Sequence, residues 1–165
     1  MADIAPDLKT PSDLPRNDTR TVGEALNTSL ANCYALYLKT KNFHWHVSGP
    51  HFRDYHLMLD DQATQILGVT DVIAERVRKT GGTTLRSIGD IARRQQLADD
   101  DRDFVAPAEM LSILRDDNLK LVETLRAARE AAENAGDTAT SSLADEWIDA
   151  AEERAWFLFE AGRKG

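Results

Sequence analysis

The sequence has a single cysteine, no long apolar run and no excess of basic residues. Cys33 cannot form a disulfide within the chain, which favours a reducing compartment such as the cytoplasm. No run of about 18 apolar residues occurs, so no segment predicts a membrane span. The first residues lack the basic and apolar stretches of a signal peptide, and we expect none. The net charge of −8 disfavours DNA phosphate and membrane surfaces as partners and favours cations.

Apolar periodicity predicts an all-α domain of four long helices, and no strand signal or repeat competes with it. With 165 residues, of which 42% are hydrophobic, the chain is one domain with a real core. We expect a mobile N-terminal arm over residues 1–20 and a four-helix bundle over residues 21–165. The long connection between the second and third helices should hold a short extra helix within Ser87 to Gln96, followed by a solvated loop from Asp99 to Asp103.

Breakers and capping residues set the expected helix bounds. The first helix should begin near Thr21, where Glu24 completes a capping box, and end by Ser48, before Gly49 and Pro50. The others should run from about His51 to Thr80, from Pro107 to about Asn134, and from about Thr138 to Ala161. The residues expected to face inward are Leu26, Cys33, Tyr37, His44, Leu59, Ile66, Ile73, Val77, Leu111, Leu114, Leu121, Leu125, Ala128, Leu143, Trp147, Ala151, Leu158 and Phe159.

All four histidines of the chain lie between positions 44 and 56, and three carboxylates, Asp60, Asp71 and Glu75, follow at helical spacing. His56 and Asp60 are separated by one helical turn, and so are Asp71 and Glu75, so each pair projects from one helix face. At 100° per residue, Asp71 is rotated only about 20° from Asp60, which puts both pairs on one stripe. Imidazole and carboxylate without thiolate suit iron or another divalent first-row metal.

Each of these residues also has a simpler explanation when it is taken alone. His44 on an apolar face could be a satisfied core histidine, His56 and Asp60 a surface ion pair, and Asp71 and Glu75 a solvated acidic face. The helix adds a geometric constraint, since Asp60 and Asp71 would lie roughly 16 Å apart along its axis. Metal–ligand bonds are about 2 Å long, so one ion cannot bind both pairs of one chain. Either the pairs are unrelated, or a second copy of the helix runs antiparallel and completes the site.

Other metal and catalytic sites are excluded by their motifs. A single-chain di-iron bundle needs Glu-x-x-His twice, but the residues three before the histidines are Lys41, Phe43, Ser48 and Arg53. The chain has no cysteine pair for structural zinc and no glycine-rich phosphate loop, and no nucleophile–base pair can be argued from it.

The register His-x11-His-x3-Asp-x10-Asp-x3-Glu, formed by His44, His56, Asp60, Asp71 and Glu75, resembles the ferroxidase signature of the Dps mini-ferritins. The context is similar too: His44-Trp45 before Gly49-Pro50, the segments 73–76 and 81–82, and Ala155-Trp156-Phe157, so that the resemblance covers about residues 20–161. It implies a ferritin-like four-helix bundle in a homo-dodecameric hollow shell. This shell would act as a ferroxidase, oxidise Fe(II), preferably with hydrogen peroxide, store ferric mineral and protect against oxidative stress. The Fe(II)/Fe(III) site would be intersubunit, with His44, His56 and Asp60 from one subunit and Asp71 and Glu75 from its twofold mate.

Two departures from the family pattern bear on function. The arm has three basic residues against four acidic ones, whereas arms that bind DNA carry several uncompensated lysines, so we expect weak or absent DNA binding. The alternative function is a nucleoid-compacting DNA-binding protein with a secondary metal site. At the expected iron-entry pore, Ser142 stands where many members have aspartate, with Asp137, Asp145 and Glu146 as substitutes for its charge. His46 and His51 lie outside the register and are candidates for auxiliary ligands. We expect a cytoplasmic protein, with nucleoid association as the alternative.

Overall fold

The computed structural model describes residues 4–163 and confirms an all-α bundle of four long helices with a short helix in the long connection. The helices are α1 (Arg16–His46), α2 (Phe52–Lys79), α3 (Ile88–Arg94), α4 (Pro107–Asn134) and α5 (Thr138–Ala161), and a 3-10 turn spans Pro6–Leu8. α1 packs against α2 and α4, α4 packs against α5, and α3 lies against α1. No helix within residues 4–163 is long and apolar enough to cross a membrane.

The predicted apolar faces form the core, and one residue predicted to face inward, Phe159, does not. The inward positions of α2 and α4 are all buried, and so are Leu26 and Cys33 of α1. In α5 the buried stripe runs through Trp147, Ala151, Arg154 and Leu158, whereas Phe159 is 46% exposed. The prediction that Phe159 faces inward is wrong because this residue is about 100° further around the helix than Leu158.

The predicted start of the first helix is also wrong. α1 begins at Arg16, directly after Pro15, so residues 16–20 belong to the helix and the segment outside it ends at Pro15. Proline fixes a φ compatible with a helix start and has no amide hydrogen to satisfy there. The expected capping box does not form: the Thr21 hydroxyl donates to the Asn17 carbonyl, and Glu24 pairs with Arg94.

The described part of the arm contacts the end of α2. Nη2 of Arg78 donates to the Leu8 carbonyl at 2.6 Å and to Oγ1 of Thr10 at 3.0 Å. Residues 1–3 lie outside the described part of the chain, and the mobility of the arm stays a prediction. Arg78 thus attaches the segment before α1 to the C-terminal turn of α2.

The remaining helix bounds agree with the sequence signals. α1 ends at His46 and α2 begins at Phe52, and Gly49 between them has a φ of 102°. α2 ends at Lys79, with Gly81 at a φ of 91°, a left-handed conformation that favours glycine. α3 starts after Ser87, whose side chain accepts from the Asp90 amide, and the segment 99–103 is a loop. α2 is one unbroken helix, and five residues separate it from the end of α1.

Candidate metal centre

His44 and His56 are held together at the junction of α1 and α2. Their rings are stacked, with centroids 3.8 Å apart and planes inclined by 20°. Nδ1 of His44 lies 2.8 Å from the carbonyl oxygen of His56, and Nδ1 of His56 lies 2.9 Å from the carbonyl oxygen of His44. Each imidazole is therefore fixed by the backbone of the residue that carries the other.

The helix end explains why one of these hydrogen bonds forms. His44 lies in the last turn of α1, where the final carbonyls have no amide partner within the helix. The Nδ1–H group of His56 donates to one of these carbonyls and so satisfies an acceptor at the helix end. The histidine pair consequently stabilises the α1–α2 corner as well as forming a candidate ligand pair.

The same hydrogen bonds define the chemistry of both rings. A carbonyl oxygen only accepts, so Nδ1 of each histidine must carry the hydrogen. In the neutral imidazole this leaves the lone pair on Nε2 available for a metal ion. A ligating histidine is commonly oriented in this way, by donating its other N–H to a backbone carbonyl. The two imidazoles therefore fit a divalent first-row metal.

Asp60 lies beside the histidine pair and is held by a lysine. Its Oδ1 is 3.9 Å from Nε2 of His44 and accepts a 2.7 Å hydrogen bond from Nζ of Lys41. This hydrogen bond and the positive charge hold the pKa of the Asp60 carboxyl below its usual range. Lys41 also lies 5.9 Å from the ring centroid of Trp45. Asp60 is thus ionised and near the imidazoles, but its carboxylate already has a cationic partner.

Asp71 and Glu75 lie elsewhere on α2. Because the helix is continuous from Phe52 to Lys79, the axial separation of Asp60 and Asp71 is roughly 16 Å, as the sequence predicts. Both acidic side chains are exposed, and Oε2 of Glu75 accepts from Nζ of Lys79 at 2.9 Å. Among residues 4–163, no three His, Cys, Asp or Glu side chains form a group that could hold a metal ion. One chain therefore places Asp60 beside the histidine pair, in an arrangement that does not by itself hold a metal ion, and leaves Asp71 and Glu75 apart from it.

The auxiliary candidates lie outside this cluster. His46 is exposed and its Nδ1 donates to the Asn42 carbonyl at 2.8 Å. His51 is exposed and its ring centroid is 5.6 Å from that of Tyr55. Neither contact involves the stacked pair, and a ligand role for these two histidines stays a prediction.

The acidic residues considered for the pore have other partners. Asp137 is buried, caps the N-terminus of α5 through the Thr140 amide, and pairs with Arg76 at 2.5 Å. Asp145 pairs with Arg129, whereas Ser142 and Glu146 are exposed. Asp137 is therefore engaged within the fold, and Glu146 is the most available of the three proposed substitutes.

Two lysines that contact proposed ligands, Lys41 and Lys79, were not predicted from the sequence. Lys41 contacts Asp60 across the α1–α2 corner, and this contact depends on how the two helices pack. Lys79 follows Glu75 by one helical turn, a spacing at which an ion pair could have been predicted from the sequence alone.

Comparison with known proteins defines the class to which this bundle belongs. The family model described as the ferritin-like domain matches residues 23–161. A "DNA protection during starvation protein" from Agrobacterium fabrum is 34% identical over 150 residues, which cover 91% of this chain and 93% of the relative. The chain therefore belongs to the ferritin-like family and, within it, to the Dps (DNA protection during starvation) proteins.

Solved structures agree with this assignment. The crystal structure of an archaeal Dps homologue from Halobacterium salinarum is 29% identical, has a TM-score of 0.90, and aligns over 99% of this chain and 93% of its own. The Dps protein of Vibrio cholerae O1, described as a member of a broad superfamily of ferritin-like diiron-carboxylate proteins, is 25% identical with a TM-score of 0.85. That alignment covers 91% of this chain and 94% of the other.

Proposed function

We propose that this protein is a ferroxidase and iron store that oxidises Fe(II), preferably with hydrogen peroxide, and deposits ferric mineral inside a twelve-subunit hollow shell. Its role would be protection against oxidative stress. The observation that carries the proposal is the stacked pair of His44 and His56, whose two Nε2 lone pairs are free for a metal. Membership of the ferritin-like family and the similarity to a protein described as diiron-carboxylate support iron as the metal.

The proposed site is shared between two chains. A second copy of α2 running antiparallel would bring its Asp71 and Glu75 to the His56 and Asp60 end of the first copy. A twofold axis would then create two identical sites in each dimer. The roughly 16 Å between Asp60 and Asp71 excludes a site within one chain that contains both.

The outer face of α2 supports packing against a second copy. The exposed large apolar residues of α2 are Phe52, Leu57, Leu67 and Val72, on the same helix as the exposed Asp71 and Glu75. Gly68, in the middle of this helix, is exposed, and a Cβ built there would meet nothing within 4 Å. Glycine costs a helix about 1 kcal/mol relative to alanine, and no contact in this chain requires it. A closely approaching second helix would give this residue a role.

The ligands differ in their expected roles. His44 and the partner subunit's Asp71 and Glu75 would hold the tighter iron, because they combine one neutral donor with two charges. His56 and Asp60 would favour a second, weaker position, where iron would compete with Lys41 for the Asp60 carboxylate, whose Oδ1 accepts from Nζ of Lys41. Oxidation of two Fe(II) ions by one hydrogen peroxide consumes two protons and releases two waters. The chain's task is to orient both imidazoles and to hold the carboxylates ionised.

The second candidate function is DNA binding, which is favoured by the names of the relatives. The net charge of −8 and the arm without basic excess argue against it, since phosphate binding depends on surplus Lys and Arg. We therefore propose that any DNA binding is weak and secondary to iron chemistry.

Two complementary variants test the shared site. One carries His44→Ala with His56→Ala, the other Asp71→Ala with Glu75→Ala. Each alone should assemble but oxidise iron slowly. When the two are unfolded and reassembled together, an interface between unlike chains contains one intact site and one doubly defective site. Random mixing pairs unlike chains about half the time, so activity should recover to roughly a quarter of wild type. Mixed shells no more active than their parents would contradict the shared site.

A further inference from the structure

Lys79 occupies the carboxylate that the proposed site needs from the partner subunit. Its Nζ lies 2.9 Å from Oε2 of Glu75, and both side chains are more than half exposed. Lys79 is in the last turn of α2, where a cation also interacts favourably with the helix dipole. Helix stability thus explains the position of Lys79, but its contact with Glu75, a proposed ligand, would also affect metal binding.

We propose that Lys79 is a built-in counter-ion that competes with Fe(II) for Glu75 and lowers the iron affinity of the shared site. This inference rests on the proposed function, since it assumes that Glu75 ligates iron. Lys79 does not contact the metal in this proposal. It acts through Glu75 by occupying a carboxylate oxygen until iron displaces it.

The charges of the shared site show why one lysine matters. The site would contain Asp60 with the partner subunit's Asp71 and Glu75, three carboxylates in all, and two neutral imidazoles. Lys41 contacts Asp60, and the partner subunit's Lys79 would arrive with its Glu75, as in the chain described here. Three carboxylates against two ammonium groups leave a net charge of −1. Without Lys79 the charge would be −2, which attracts a divalent cation more strongly.

The displaced lysine has room to move. Lys79 also lines a surface cavity of about 580 Å³ between the segment before α1 and the α4–α5 turn. Asp13, an exposed residue of that segment, lines the same cavity. An ammonium group released from Glu75 would therefore face a cavity that is open to solvent and that a second carboxylate also lines.

The size of the effect follows from the exposure of the pair. Exposed ion pairs of this kind contribute little, so that the loss of the competitor should strengthen iron binding only about two- to fivefold. The difference should shrink at about 0.5 M salt, where the screening length falls to a few ångströms. A salt-sensitive change of this size separates competition by charge from a change in the fold.

The experiment compares three variants of the full-length assembled protein. Lys79→Gln removes the charge, Lys79→Arg retains it, and Lys120→Gln removes a lysine from a similar exposed pair with Glu123, at 2.6 Å on α4. Anaerobic Fe(II) binding is measured by titration calorimetry at about 20 mM and about 0.5 M salt. We expect tighter binding at low salt for Lys79→Gln only, with Lys79→Arg and Lys120→Gln like wild type.

Two results would overturn the inference. One is binding by Lys79→Gln that is unchanged or weaker at low salt, which would mean that Lys79 does not compete or that it orients Glu75 for iron. The other is a gain that persists undiminished at high salt. A parallel titration of the double variant Asp71→Ala, Glu75→Ala distinguishes a failure of this inference from a failure of the proposed function. Unchanged iron binding in that double variant would reject the site itself, whereas lost binding would leave only the role of Lys79 in question.

Discussion

Replacing His56 by asparagine should separate the two tasks of its imidazole. The amide nitrogen of asparagine can occupy nearly the same position as Nδ1, which donates to the His44 carbonyl at 2.9 Å. Asparagine has no atom at the position of Nε2, the proposed metal ligand. His56→Asn should therefore keep the α1–α2 corner but lose iron binding at the second, weaker position, whereas His56→Ala should weaken the corner as well.

The expected stability difference can be estimated from the contacts. In His56→Ala the carbonyl at the end of α1 loses its donor, and a partly buried acceptor without a partner costs about 1–3 kcal/mol. Both variants also lose the ring contacts with His44, at 3.8 Å, and with Phe52, at 5.0 Å. Because that loss is common to both, His56→Asn should be more stable than His56→Ala by about 1 kcal/mol.

Urea unfolding and anaerobic Fe(II) titration measure the two effects independently. The unfolding curves must be compared at one protein concentration, because assembly contributes to the apparent stability. Iron affinity at the weaker position should fall more than about tenfold in both variants, since each loses a ligand there. Wild-type iron binding by His56→Asn would refute the ligand role. Equal stability of the two variants would refute the proposed satisfaction of the helix-end carbonyl.

Two further predictions concern the core and the surface. Arg154→Met should destabilise the protein by about 1–2 kcal/mol in urea unfolding, because the buried Oδ1 of Asn118 loses the hydrogen bond that Nε of Arg154 donates at 2.9 Å; unchanged or higher stability would show that the buried guanidinium, whose pKa is lowered by burial, costs at least as much as this hydrogen bond contributes. DNA should give no sharp gel shift at about 150 mM salt without divalent metal; a shift that disappears on deleting residues 1–20 would contradict the expected weak binding.

Helix bounds were predictable wherever one strong local signal decides them. Pro107 and Gly136 fix α4, and the Gly49–Pro50 pair fixes the corner between α1 and α2. At the start of α1 two local signals compete, and Pro15 rather than the pair of Thr21 and Glu24 determines where the helix begins. The capping-box pattern fails there because Glu24 finds a stronger partner, Arg94, that is distant in the sequence.

The contacts at the site were less predictable than its residues. Spacing on one helix indicated His56 with Asp60 and Asp71 with Glu75, because helical periodicity converts sequence distance into geometry. The mutual hydrogen bonds of His44 and His56 depend on the turn between two helices, and no periodicity encodes them. Asp137 shows the same limit, since its pairing with Arg76 joins residues that are far apart in the chain.

The chemistry of the bundle interior independently favours an iron site at the surface of the chain. Di-iron bundles of this architecture bind metal between their helices, through carboxylates and histidines that project inward. Here the buried positions include Gln62, Asn118 and Arg154; Gln62 donates to the Arg154 carbonyl at 3.3 Å, and Arg154 donates to Oδ1 of Asn118 at 2.9 Å. A guanidinium repels a divalent cation, so this interior is unsuited to iron. The other candidate ligands form two groups: His44, His56 and Asp60 at the α1–α2 corner, and Asp71 and Glu75 further along α2. One chain cannot bring the two groups together, so an iron site built from all five requires a second copy of the chain.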